Sequence, residues 1–129
     1  MKKINFSDPR NGAVLTIALA IVVGIATLTP SQTMPSAPGS DKLHHFVAFA
    51  VLAFPMSYAR PRIAIWVVMA ATAYGGAIEV IQPSVGRYGD VSDAAANAAG
   101  AACGAVLGCA VHRLRAWKRG RQDPRRNNQ

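Results

Sequence analysis

Four long apolar stretches, separated by short polar segments, run through the chain. They cover 13–28, 43–59, 63–81 and 94–111, and each comes close to the ~17 to 25 residues that a helix needs to cross a hydrocarbon core. The pattern therefore predicts an all-α fold, a bundle of four transmembrane helices. Little chain is left over, so we expect an N-terminal segment (1–12), one membrane domain (13–112) and a basic tail (113–129).

The polar segments indicate how the helices connect. Only Arg60, Pro61 and Arg62 separate the second and third stretches, which predicts an antiparallel hairpin with Pro61 at its turn. The segment 30–40 is rich in Pro, Ser and Gly, which is typical of an irregular connection, and Asp41 follows in the predicted first turn of the second helix. Pro55 lies inside that helix, where we expect a kink.

Composition and charge favour a membrane protein over a soluble domain. The chain is 51% hydrophobic yet has a net charge of +8. All but two of its 14 Lys and Arg residues lie before the first stretch, between the second and third, or after the fourth; Lys42 and Arg87 are the exceptions. Because basic residues beside membrane helices stay cytoplasmic, both termini should be cytoplasmic. We expect a multi-pass protein of a bacterial cytoplasmic (inner) membrane.

Both ends of the chain admit another interpretation. The start resembles a secretory signal, but its apolar run is long and Pro38 follows the small-residue pair Ser36-Ala37, so we expect it to be retained. The basic tail could bind nucleic acid, but Trp117 is its only aromatic residue. Contact with anionic lipid headgroups is the simpler role, and no nucleic-acid partner is expected.

Polar residues cluster where the third and fourth stretches meet, on the side opposite the termini. Glu79 and Gln82 share a helix face, Arg87 lies in the connection, and Asp93 and Asn97 share a face of the fourth helix. Acids and amides at the ends of membrane helices are costly unless they face protein or a wet cavity. We therefore interpret this region as a functional site that faces the cell exterior.

Three glycines continue the stripe that Asp93 and Asn97 begin on the fourth helix. At 100° per residue they fall on the same face, and the three are Gly100, Gly104 and Gly108. Small residues at this spacing let another helix approach closely, so we predict a packing face, within the chain or in an oligomer. The alternative is that Gly is simply frequent in membrane helices. Cys103 and Cys109 point in different directions and cannot pair.

These residues, in order, resemble the VanZ-like family. The resemblance covers about half the chain and rests on Asp41-Lys42-x-x-His45, Glu79-x-x-Gln82, Arg87 and Asp93-x-x-x-Asn97-x-x-Gly100-x-x-x-Gly104. Family members commonly have Tyr where this chain has Phe49, so a role for that hydroxyl does not carry over. The resemblance implies a link to tolerance of the glycopeptide teicoplanin, or to envelope and exopolysaccharide systems, and implies no established reaction.

The candidate residues fall into two groups. As catalytic candidates we take His45, Glu79 and Asp93, and as ligand-binding candidates Lys42, Gln82, Arg87 and Asn97. His44 points about 100° away from His45, and whether His44 or Asp90 joins the site stays open.

Four kinds of site remain open for these residues. The first is acid–base chemistry on a phosphate- or glycan-bearing lipid, with Arg87 binding the anion, and the second is a metal site of His45, Glu79 and Asp93. The third is a structural hydrogen-bond network, and the fourth is noncatalytic binding of an envelope ligand or partner. The expected function is to bind or modify a lipid-linked or glycan ligand without a cofactor. A structural or partner-binding membrane protein is the alternative.

Overall fold

Four long helices make up the part of the protein that the structure describes. The computed structural model describes residues 6–29, 40–87 and 89–121, and within these the helices are α1 (Pro9–Leu28), α2 (Ser40–Ala59), α3 (Ala64–Ile81) and α4 (Val91–Arg121). Short 3₁₀ turns, Pro61–Ile63 and Gln82–Val85, precede and follow α3. The described residues contain no strand, which confirms the all-α prediction. The predictions for the 30–39 connection, for cleavage at Ser36-Ala37 and for the last residues of the tail fall outside the described residues.

Three of these helical segments, not four, are long and apolar enough to cross a membrane. They are Pro9–Leu28, Pro61–Val85 and Val91–Arg121. The prediction of four such helices was wrong for α2, because polar residues dilute its apolar run at both ends: Asp41, Lys42 and two histidines at the start, Ser57 and Tyr58 near the finish. Instead α2 is the central helix, packed against α1, α3 and above all α4.

Local sequence sets where the helices begin and turn. Asp8 caps α1, since its Oδ1 accepts a hydrogen bond from the Arg10 N–H at 2.9 Å, and Pro9 occupies the first turn, where a missing N–H is tolerated. Beyond α3, Gly86 adopts a left-handed conformation (φ 76°), which glycine reaches without steric cost. This turn ends the 3₁₀ segment and directs the chain toward α4.

The glycine stripe of α4 lies directly against the backbone of α2. A Cβ added at any of the three glycines would overlap a carbonyl of α2, and successive partners are one turn apart: Gly100 faces Phe46, Gly104 faces Ala50 and Gly108 faces Phe54. Close backbone approach of this kind maximises van der Waals contact, the main attraction between helices in lipid. The glycine face is therefore used within the chain.

The fourth helix is longer than predicted. It continues past Val111 to Arg121, so the start of the basic tail is helical. Part of this extension fastens α4 to the end of α2, where Arg115 Nη1 donates to the Tyr58 hydroxyl at 2.8 Å and His112 Nδ1 lies 2.8 Å from the Tyr58 carbonyl oxygen. Cys103 and Cys109 are free.

The core of the bundle is small and the outer surface is apolar. Phe49, Leu52, Ala53, Ile78 and Ala101 form part of one buried cluster. Large apolar side chains are exposed along α1, among them Val14, Ile17, Ile21, Val22 and Ile25. Exposed apolar surface of this extent is expected where lipid rather than water is the solvent.

Candidate functional site

A buried histidine on α2 forms the centre of the polar cluster. His45 is only 4% exposed, and its Nδ1 lies 2.9 Å from Asn97 Oδ1 on α4. Carboxylates from two helices flank the ring: Glu79 Oε1 on α3 is 3.9 Å from Nδ1, and Asp93 Oδ2 on α4 is 4.0 Å from Nε2. The structure thus brings together the three catalytic candidates and Asn97.

The surroundings of His45 decide which ring nitrogen carries the hydrogen. Nδ1 faces two oxygen atoms, the Asn97 amide oxygen at 2.9 Å and Glu79 Oε1 at 3.9 Å, and neither oxygen can donate when Glu79 is ionised. In the neutral ring Nδ1 is therefore the donor, and its hydrogen bonds to Asn97. The lone pair is left on Nε2, on the side of Asp93, so this nitrogen can accept a proton or bind a cation.

Glu79 is held by the backbone at the start of α4. Its Oε2 accepts a hydrogen bond from the Asp90 N–H at 3.0 Å, and Asp90 in turn caps α4 by accepting from the Ser92 N–H at 2.8 Å. Hydrogen bonds from Ser92 and then the ammonium of Lys42 hold the pKa of the Asp90 carboxyl below its usual range. Asp90 thus stays ionised and joins the cluster through its backbone.

Several polar atoms of the cluster have no hydrogen-bond partner. Among the described residues, Glu79 Oε1 and Asn97 Nδ2 are buried and unpaired. Asp93 is 6% exposed, and among the described residues its basic neighbour within 4.0 Å is the imidazole of His45. Buried polar groups are usually hydrogen-bonded. These atoms are therefore available for hydrogen bonds with another molecule.

Packing between the helices fixes the Asn97 side chain. Asn97 is fully buried, and Gly75 of α3 lies so close that an added Cβ would come within 2.9 Å of Asn97 Nδ2 and 3.1 Å of Phe49 Cε1. Phe49 itself is fully buried and packs beside Tyr74. The missing side chain of Gly75 therefore leaves room for both Asn97 and the apolar ring of Phe49.

Two of the expected ligand-binding residues have their contacts outside the immediate surroundings of His45. Gln82 is buried, and its Nε2 donates to the Thr27 carbonyl of α1 at 3.3 Å. Arg87 donates to the Thr29 carbonyl at 3.4 Å and lies 4.0 Å from Asp41. The ion pairs of the described residues thus place Arg87 beside Asp41 and not beside Glu79 or Asp93. Lys42 and His44 are exposed at the edge of the site.

Sequence reasoning missed Asp41 as a member of the site. It precedes His45 by four residues, so both lie on one face of α2, and Asp41, His45 and Asp93 each place a potential ligand atom within 4.8 Å of the other two. The four-residue spacing was visible in the sequence. We had considered a metal site of His45, Glu79 and Asp93, but Glu79 lies on the Nδ1 side of the ring, where Asn97 already holds the hydrogen.

Comparison with known proteins identifies a family for this chain. No curated protein and no solved structure matches the chain. The model of one protein family, VanZ/LLP1, matches residues 4–112, a range that contains every residue of the His45 cluster. Three helices able to cross a membrane, together with this match, indicate a multi-pass membrane protein, and the chain belongs to the VanZ/LLP1 family.

Proposed function

We propose that the protein binds the polar headgroup of a lipid-linked or glycan ligand of the bacterial cell envelope at the His45 cluster. In this proposal it lies in the cytoplasmic membrane with both termini inside and the cluster facing outward. The distribution of charge supports the orientation, because Arg10, Arg60, Arg62 and the basic residues of α4 all lie at the end of the bundle opposite His45.

The observation that carries the proposal is the state of Asp93. Its side chain is nine-tenths buried in a membrane bundle, and the nearest basic group of the described residues, His45 Nε2, lies 4.0 Å from Oδ2, beyond hydrogen-bond distance. Ionisable groups are retained in such places when they serve a function, because their insertion is unfavourable. Hydroxyl groups of a glycan or headgroup are donors, and they would supply the hydrogen bonds that Asp93 and Glu79 Oε1 lack.

The charges around the cluster match a ligand that is both hydroxylated and anionic. The carboxylates Glu79 and Asp93 can accept hydrogen bonds from hydroxyls, while Lys42 and Arg87 at the rim can hold a phosphate. With its lone pair directed toward Asp93, His45 Nε2 can also accept a proton from a ligand hydroxyl, and Asp93 would stabilise the resulting imidazolium. The same geometry thus serves binding and acid–base modification.

The experiment is complementation of a strain that lacks the protein. Wild type, His45→Gln and Asp93→Asn are compared for teicoplanin susceptibility and for the profile of lipid-linked glycans, with membrane abundance measured in parallel. His44→Gln is the matched control, since His44 is the exposed neighbour of the buried His45. We expect both site variants to accumulate normally and to lose the phenotype, whereas the control keeps it.

Two results would contradict the proposal. Site variants that retain the full phenotype would show that the cluster is not used. A loss of phenotype that merely follows a loss of protein would assign these residues to a structural network. Accumulation of a precursor in the lipid profile would indicate modification of the ligand, and an unchanged profile with altered susceptibility would indicate binding alone.

Oligomerisation through α4 stays a prediction. Because Gly100, Gly104 and Gly108 are occupied by α2, an oligomer would have to use the exposed face of α4 that carries Val106 and Leu107.

A further inference from the structure

We infer that Asp41, His45 and Asp93 form a binding site for a divalent metal ion of the zinc class. These residues each place one ligand atom within 4.8 Å of the other two, and imidazole and carboxylate are both ligands that Zn²⁺ accepts. The inference goes beyond the proposed function and does not depend on it, because the site is defined by protein groups alone.

The hydrogen bond between His45 and Asn97 prepares the imidazole for an ion. Asn97 Oδ1, 2.9 Å from Nδ1, holds the hydrogen on that nitrogen and leaves the lone pair on Nε2, which faces Asp93. Histidines that bind metals nearly always donate their other ring N–H to a carbonyl or carboxylate, which fixes the tautomer and the ring orientation. Asn97, fully buried between α2 and α3, provides this support.

The second, independent observation is that the ligand from α4 is unpartnered. The Asp93 side chain is 8% exposed, its carboxylate accepts no hydrogen bond from the described residues, and its Oδ2 points toward Nε2 across a gap of 4.0 Å. A cation in this gap would neutralise a buried carboxylate, which is otherwise unfavourable. Glu79 Oε1, also unpaired, adds negative charge on the other side of the ring.

The spacing and exposure of the three residues fit an open site. Asp41 and His45 lie one turn apart on α2, and Asp93 approaches from α4, so the ligands converge from two helices. Two ligands on a tetrahedral zinc are about 3.4 Å apart, given bond lengths of about 2.0 to 2.2 Å, so binding draws the three atoms together. Asp41 can make most of this movement because its side chain is 51% exposed. Three protein ligands then leave one position for water or a ligand.

The experiment measures metal binding directly, on the full chain purified in detergent with any polyhistidine tag removed. After chelator treatment, the protein is titrated with Co²⁺, whose visible absorption reports tetrahedral coordination, and Zn²⁺ is then added as a competitor. We expect one saturable ion per chain. The variants are His45→Gln, Asp93→Asn and Asp41→Asn, with His44→Gln as the matched control.

Each ligand variant should weaken Co²⁺ binding by at least about 100-fold. Removing a group that only supports a metal ligand typically weakens binding by about 10- to 100-fold, and removing the ligand itself should cost at least the upper end of that range. Asp41 is exposed, so Asp41→Asn keeps the test valid if either buried variant fails to fold. Absence of saturable binding in excess ion would overturn the inference, as would binding that all three variants retain or that His44→Gln also loses. The Co²⁺ titration contains no envelope ligand. Its result therefore tests the metal site whether or not the complementation experiment supports the proposed function.

Discussion

The packing of the glycine stripe of α4 against α2 predicts a loss of stability when a side chain is added. At Gly104, an added Cβ would overlap the backbone carbonyl of Ala50, whose position is fixed by the helix around it. The overlapping atom belongs to the backbone and cannot rotate away as a flexible side chain would. Gly104→Ala must therefore push the two helices apart. Gly76 of α3 is the matched control, because a Cβ there meets nothing within 4 Å.

The two substitutions should change the free energy of unfolding in opposite directions. Replacing glycine by alanine inside a helix is favourable by about 0.8 to 1.0 kcal/mol, so Gly76→Ala should leave the free energy of unfolding unchanged or raise it by up to that amount. Overpacking typically costs 1 to 3 kcal/mol, occasionally more. Because the clashing carbonyl cannot move, the upper end of the overpacking range applies to Gly104→Ala. After the gain in helix propensity, the free energy of unfolding should fall by about 2 kcal/mol.

Thermal unfolding of purified protein in one detergent measures both variants. A change of about 1 kcal/mol shifts the Tm of a domain of this size by a few degrees, so the two variants should differ clearly, with wild type between them. Equal Tm values for Gly104→Ala and Gly76→Ala would refute the claim that the glycine stripe sets the separation of α2 and α4.

Three further predictions concern topology and single contacts. A reporter that works only in the cytoplasm should be active when fused after Gln129, and an active periplasmic reporter there would contradict the proposed orientation. Arg87→Ala should change the free energy of unfolding by no more than about 1 kcal/mol, because its partner Asp41 is half-exposed; a loss of several kcal/mol would mean that Arg87 compensates a buried acid. Tyr74→Phe should cost about 0.5 to 1.5 kcal/mol, because its hydroxyl donates to the Ala20 carbonyl at 2.6 Å; no change in Tm would show that this bond does not hold α3 to α1.

Hydrophobic periodicity predicted the helices well but misjudged two of them. The end of α4 could not be found from hydropathy. Arg and Lys end an apolar run, but they have good helix propensity and therefore do not end the helix. In α2, His45, Ser57 and Tyr58 are buried, whereas Asp41, Lys42 and His44 are exposed at its start. Both groups lower the hydropathy of the helix that is most central to the bundle.

Helical geometry predicted the parts of the site that lie on single helix faces. Asp93 and Asn97 fall on one face four residues apart, and both meet His45 in the structure. The position of Arg87 could not be predicted in this way, because it depends on the left-handed turn at Gly86. Gln82 turns toward Thr27 of α1, a contact between distant parts of the chain that no local pattern encodes.

The central claim is that the His45 cluster is kept for function at the expense of stability, and Asp93→Asn tests it most directly. Stability is measured as thermal unfolding in detergent after chelator treatment, which removes any effect of a bound ion. Burying an ionised carboxylate inside a membrane bundle is unfavourable, and the Asp93 side chain is only 8% exposed, so removing its charge should leave the Tm unchanged or raise it. A loss corresponding to about 3 to 5 kcal/mol, as when a buried ion pair is broken, would show that Asp93 holds the bundle together and would contradict the functional interpretation.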